Sequence, residues 1–208
     1  MEAVTIVFIL TSMVIILTPG QDMILVMSRS ISQGKKAGIF TALGVSIGLM
    51  GHTLLATLGL GALLMASEWL FNAIKFIGAA YLLYLGYQLL TSKEHKLTMK
   101  DMPKISYKKM FLQGAISNIS NPKITIFYFS YLPQFVIHNG GSEAIQLFIL
   151  GTTFAIITFF LKAPIGYIAG NLSSWIKARP NVLNYINNTS GIILVALGIK
   201  LALSEKST

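Results

Sequence analysis

Leu17-Thr18-Pro19-Gly20-Gln21-Asp22 interrupts an apolar run that extends from about Ala3 to about Met27. Proline has no N–H to continue a helical ladder and glycine loosens the backbone, so the pair predicts a broken helix. Asp22 follows the break directly, in apolar sequence where an ionisable group is costly without a partner or a task. About a hundred residues later, Asn121-Pro122-Lys123 interrupts a second apolar stretch and leaves a basic residue beside the break. Two interrupted helices, one carrying an acid and one a base at matching depth, organise the reading of the remaining chain.

The composition places these breaks in a bilayer. Of 208 residues, 54% are hydrophobic and 11% charged, against about 25% charged in globular domains. The mean hydropathy is +0.69. A soluble helical core is the poorer account of such composition and run lengths. The absence of cysteine excludes a disulfide framework, a thiolate metal site and a cysteine nucleophile. His95 and His138 are read as loop residues whose spacing makes no metal site, so no metal is expected. With no Gly-rich phosphate loop and no workable Ser–His–Asp pattern, an enzyme is not expected. The net charge of +9 is read as orientation coding in loops rather than as nucleic-acid binding. Met1-Glu2-Ala3 lacks a basic n-region, so the first segment is expected to be retained as a span.

Six apolar spans fit the chain: about Ala3–Ser28, Ala37–Ala66, Leu70–Leu90, Met110–Ile137, Ala144–Trp175 and Ile186–Leu203. The expected fold is an all-α membrane protein, a single transmembrane domain over 1–208, with helices 1 and 4 broken at Pro19 and Pro122. Arg29, Lys35 and Lys36 are assigned to the first-to-second loop. Lys93, Lys96, Lys100, Lys104, Lys108 and Lys109 fall between spans three and four, and Lys177 and Arg179 between five and six. These basic residues share one side, which the positive-inside rule makes cytoplasmic, leaving both termini outside. The run from Lys93 to Lys109 reads as a solvated, orienting loop, with anionic lipid headgroups as the alternative ligand.

The two halves, 1–92 and 110–208 on either side of the basic loop 93–109, look related. An offset of 112 pairs Asn72 with Asn184, Leu82 with Leu194 and Gly86 with Gly198 between spans three and six. An offset of 107 pairs Gly44 with Gly151 and Gly59 with Gly166, and one of 103 pairs Pro19 with Pro122. A three-span repeat has an odd number of crossings, so its copies must be inverted. An inverted 3+3 repeat with broken helices at its centre is the mark of secondary transporters. Gly44, Gly48, Gly51, Gly59 and Gly61 in span two, and Gly78-Ala79-Ala80 in span three, are read as packing residues. Such stripes also permit a homodimer.

At the breaks, Asp22 is read as the ion-coupling carboxylate; the plainer alternative is an acid that pairs with Lys123 to hold the bundle. Lys123 could neutralise Asp22 in the empty site and meet a carboxylate in the full one. Half-helix N-termini add positive dipole ends, and backbone groups freed at Thr18, Pro19, Asn121 and Pro122 can serve an ammonium. A zwitterion is the ligand this arrangement suggests. Asn118 and Asn121 precede the second break, and Asn121 can equally be a plain helix cap. Lys162, before Pro164, either snorkels to an interface or faces the cavity. His52 is read as a packing histidine, with a proton relay as the sharper alternative. Tyr81, Tyr84, Tyr87, Phe127, Tyr128 and Tyr131 are read mainly as packing or interfacial aromatics.

Thr18-Pro19-Gly20 followed by Ser32-Gln33-Gly34-Lys35-Lys36-Ala37-Gly38 resembles the first-span signature of the LysE/RhtB-type amino-acid exporter superfamily, homoserine/threonine exporter branch. Gly78-Ala79-Ala80-Tyr81-Leu82-Leu83-Tyr84-Leu85-Gly86, the Asn121-Pro122-Lys123 motif with Leu132-Pro133-Gln134-Phe135, and Ser190-Gly191 with Leu197-Gly198 are similar to its later spans. The resemblance covers nearly the whole chain. It implies a bacterial inner-membrane exporter of amino acids or derivatives, driven by an ion gradient, usually protons. The family's first break usually reads Pro-Gly-Pro; here Gln21 replaces the second proline, loosening the break and adding an amide near the site. Lys123 and Lys162 weigh against a cationic substrate. The expectation is therefore export of a neutral or polar amino acid, the candidate site residues being Asp22, Lys123, Asn121, Gln21, Thr18, Asn118 and Lys162. No cofactor is expected beyond a proton or sodium gradient. A passive pore or metal-ion exporter is the rival, and a non-transporting scaffold leaves the Asp and Lys unexplained.

Overall fold

A computed structural model of the chain describes residues 2–60, 68–91, 103–137, 140–177 and 180–203. Among these the structure is helical throughout, without strands. The helices are α1 (Glu2–Leu17), α2 (Gln21–Gln33), α3 (Lys35–Leu55), α4 (Glu68–Thr91), α5 (Tyr107–Ile119), α6 (Pro122–Ser130), α7 (Glu143–Lys177) and α8 (Pro180–Leu203). A π-helical turn over Ala56–Leu60 extends α3, and a 3₁₀ turn over Leu132–Phe135 follows α6. Lys35–Gly59 and Glu143–Ala169 are each long and apolar enough to cross a membrane. Thr5–Leu17 with Gln21–Gln33 passes the same test as a pair bent by 56°. Outward faces carry exposed apolar side chains such as Leu10, Ile116, Phe160 and Ile192, as a bilayer solvent allows.

Both breaks fall where the sequence puts them. The α1 ladder closes with Thr18 N–H donating to the Val14 carbonyl at 2.9 Å, and α2 opens with Ile24 N–H donating to Gly20 at 3.0 Å. Gly20 is extended, with φ −165°, a conformation open to any residue, so its backbone needs no glycine. At the second break Asn121 caps α6: its Oδ1 accepts from the Lys123 N–H at 3.1 Å, with Pro122 in the first turn. Missing N–H groups thus coincide with orphan positions of a new helix.

The first-to-second loop reduces to one residue. Gly34 adopts φ +92°, the left-handed region that glycine enters without a Cβ penalty, and Lys35 already begins α3. Arg29, expected in that loop, instead lies buried within α2. Its guanidinium donates to Gln113 Oε1 at 2.6 and 2.9 Å, to Gln33 Oε1 at 3.2 Å and to the Pro103 carbonyl at 2.8 Å. A planar fork of donors can satisfy several neutral acceptors at once, which is why the charge tolerates burial. Lys104, Lys108 and Lys109 are exposed. Gly61, Lys93, His95, Lys96, Lys100, His138 and Arg179 lie outside the described residues.

Glycines set the helix contacts. A methyl on Gly44 would lie 2.0 Å from the Phe111 carbonyl oxygen, one on Gly48 2.7 Å from that of Ala115, and one on Gly114 2.4 Å from that of Thr41. Backbone-to-backbone approach therefore locks α3 to α5. Gly38 and Gly166 meet between α3 and α7, and Gly86 and Gly191 between α4 and α8. Pro164 sits inside α7 without ending it.

Candidate functional site

The break before α2 and the one before α6 face a common interior. Asp22, in the first turn of α2, is 3% exposed. Its Oδ2 accepts from Asn118 Nδ2 at 2.7 Å and lies 3.6 Å from Lys162 Nζ. Its Oδ1 has no hydrogen-bond partner among the described residues, and neither has Asn118 Oδ1. Two acceptor oxygens are thus left open in a buried site, where unmet polar groups are expensive.

Lys162 does not snorkel. It is buried beside Asp22, where its ammonium meets a carboxylate in place of water. Contacts one turn further along α7 fix its height: Ser30 Oγ donates to the Gly166 carbonyl, and Gly38 packs on Gly166. Asp22 therefore pairs with Lys162 rather than with Lys123, the partner considered from sequence. Lys123 Nζ instead stands by the first break, 3.9 Å from where a Gly20 methyl would sit.

The remaining candidates divide. Thr18 donates its hydroxyl to the Val14 carbonyl at 2.7 Å, so its proton is committed to its own helix. Gln21 is exposed and its amide donates to Ser117 Oγ at 3.2 Å, tying the two breaks together. Asn121 is the α6 cap and also borders the site. His52 is closer to the site than a packing residue need be. Its Nε2 lies 3.1 Å from the Asn118 carbonyl, which can only accept, so Nε2 carries the proton. His52 Nδ1 then has no hydrogen-bond partner among the described residues.

Two cavities meet at the breaks. A small one of about 20 Å³ touches Asp22, Asn118, Lys123 and Lys162; that is room for about one water. A larger one of about 460 Å³ runs from Gly20 and Lys123 along α4 past Tyr81 and Gln88 to Thr91, within the usual size range of ligand pockets. Thr18, Gly20, Gln21, Asn121 and Lys123 border both. Of the aromatics, Tyr84 and Tyr87 are exposed, while Phe127, Tyr128 and Tyr131 are core. Leu49, Phe154 and Thr158 also line the small cavity. Nothing in the sequence marks them, since apolar residues in apolar runs are the rule.

An ion pair held at a helix break inside an apolar bundle, with a cavity leading to it, defines a membrane translocation protein rather than an enzyme. The family model described as LysE type translocator matches residues 13–205, and the chain belongs to that family. It is 36% identical over 198 residues to the membrane protein YrhP of Bacillus subtilis, covering 91% of this chain and 93% of that one. It is 30% identical over 199 residues to the leucine efflux proteins of Salmonella choleraesuis and Salmonella typhimurium, covering 94% of this chain and 92% of theirs. No solved structure matches the chain. Amino-acid export across a membrane is the activity to which the family and these relatives point.

Proposed function

We propose that the chain is a six-span secondary exporter of a neutral or polar amino acid, driven by proton antiport, with Asp22 as the coupling carboxylate. The observation that carries this reading is Asp22 itself: buried at a helix break, shared between Asn118 and Lys162, with one oxygen open beside a cavity. In the empty site Lys162 neutralises Asp22. A substrate ammonium competes for the same carboxylate and for Asn118 Oδ1, while Lys123 and the bare N–H groups of the first α2 turn receive the substrate carboxylate. Protonation of Asp22 removes its attraction for the ammonium. Substrate and proton thus exclude each other at one group, which is the requirement for exchange. A less acidic cytoplasm favours loading and a more acidic exterior favours release.

The helix contacts support an inverted repeat. An offset of 112 converts Gly86 into Gly198 and Ala79 into Gly191, and so turns the Gly86–Gly191 approach into the Gly198–Ala79 approach. Between α3 and α7, an offset of 113 turns Gly38–Gly166 into Thr53–Gly151, in place of the 107 read from sequence. With α1–α2 and α5–α6 as broken spans, three spans then form each half. The positive-inside rule puts Thr91, next to the basic stretch, in the cytoplasm; the larger cavity then loads from inside, as an exporter requires. Relatives named for leucine efflux favour a neutral substrate over a metal ion.

The test is export from reconstituted vesicles under an imposed pH gradient, with a panel of labelled amino acids and both wild type and Asp22→Asn. Uphill movement of one or a few amino acids in wild type alone is expected. Equal behaviour of the two proteins would remove Asp22 from coupling.

A further inference from the structure

Resting on the amino-acid exporter reading, a second question is what side chain the site accepts. Lys162, Thr158 and Phe154 occupy successive turns of one face of α7, and all three line the small cavity. Each four-residue step advances about 6 Å, so this wall grades from an ammonium to an aromatic ring. Ile15, Ile16, Leu49 and Ile124 join Phe154 in lining that cavity. The hydroxyls bordering it offer no free proton: Thr158 donates to the Phe154 carbonyl at 2.8 Å and Thr18 to Val14 at 2.7 Å. Phe154 is itself fixed, 1% exposed, with its ring centroid 4.9 Å from Phe127 and 5.6 Å from Tyr128.

We infer that Leu49, Ile124 and Phe154, with Ile15 and Ile16, form the side-chain pocket for an aliphatic amino acid, and that Phe154 sets the side-chain length accepted. With the ammonium on Asp22 and the carboxylate on Lys123, the substrate side chain extends along the α7 wall from Lys162 toward Phe154. The cavity of about 20 Å³ holds about one water, so the residues shared with the larger cavity, Lys123 among them, must move apart as substrate enters. At the Leu49, Ile124 and Phe154 end of this pocket a side-chain hydroxyl meets apolar side chains and forfeits its hydrogen bonds to water, which disfavours threonine and homoserine. A single methylene or hydroxyl in such a pocket is typically worth about 10- to 200-fold in discrimination.

The experiment is competition in vesicles loaded with labelled leucine, using isoleucine, methionine, valine, threonine, homoserine and phenylalanine as competitors. Wild type is expected to favour leucine, isoleucine or methionine over threonine by about 10-fold or more. Phe154→Ala should raise the phenylalanine-to-leucine ratio by about 10-fold, and Leu49→Phe should shift preference to valine or smaller. Should Phe154→Ala not reach the membrane folded, Phe154→Leu carries the same comparison. Opposite shifts from the two substitutions support a size gauge, because general damage to the bundle lowers all substrates alike. Unchanged selectivity in folded variants overturns the pocket. Export of threonine with leucine excluded overturns it too, while leaving the exporter reading intact. If wild type moves no amino acid, the exporter reading falls and this inference falls with it.

Discussion

At the scale of single residues, buried Lys162 and half-buried Lys123 have different roles. Lys162 lies 3.6 Å from the Asp22 carboxylate, so removing either partner strands a charge in a low-dielectric interior, at a cost of about 3–5 kcal/mol. Lys162→Met should therefore lower the melting temperature of the purified protein markedly. Lys123→Met, which removes an ammonium with no hydrogen-bond acceptor among the described residues, should leave it unchanged or higher. In transport the order reverses in kind: Lys123→Met should raise KM by about tenfold or more if one charge-assisted contact to the substrate carboxylate is lost. The double variant Asp22→Asn with Lys162→Met should recover the melting temperature lost in Lys162→Met without recovering uphill export. Recovery of export as well would mean that the pair only holds the bundle.

At the scale of elements, the helices are held where their backbones touch. A methyl on Gly44 or Gly48 collides with the α5 backbone, whereas Gly51 makes only ordinary contact with Ile119 and Gly59 faces open space. Gly44→Ala and Gly48→Ala should destabilise by about 1–3 kcal/mol, as overpacking does. Gly51→Ala should cost little; thermal unfolding in detergent ranks the set. Because α3 and α5 set His52 on Asn118, the damaging pair should also weaken transport in whatever protein folds. Gly20 behaves differently. Its φ of −165° suits any residue, and a methyl there has room, 3.9 Å from Lys123 Nζ. Gly20→Ala should fold normally and slow transport by narrowing the junction of the two cavities.

At the scale of the whole molecule, the proposed orientation makes the larger cavity open to the cytoplasm. The chain contains no cysteine, so Gln88→Cys and Thr91→Cys supply background-free probes. An impermeant thiol reagent should label both from the cytoplasmic face and not from outside, with substrate slowing the reaction at Gln88→Cys. Labelling from outside would reverse the assigned orientation. The competition of proton and substrate for Asp22 has a sign of its own. Lowering the pH on the loading side should raise the apparent KM, and a protonophore should abolish accumulation while a sodium ionophore does not.

The sequence by itself determined what depends on local covalent chemistry. Pro19 and Pro122 remove helical hydrogen bonds wherever they sit, so both breaks were legible, as were the all-helical class and the exceptional cost of Asp22, Lys123 and Lys162. The family resemblance lay in the same motifs. The tertiary structure alone decided the pairings. Asp22 meets Lys162 and not Lys123 because Gly38, Ser30 and Gly166 set the height of α7 against α2. Arg29 is buried among glutamine and carbonyl acceptors because α5 and the segment before it close over α2. Phe154 and Leu49 reach the site only because α3 and α7 cross there. Spacing along a chain records which groups a helix presents; which of them meet is fixed by close backbone approach between helices distant in sequence, and no single segment encodes it.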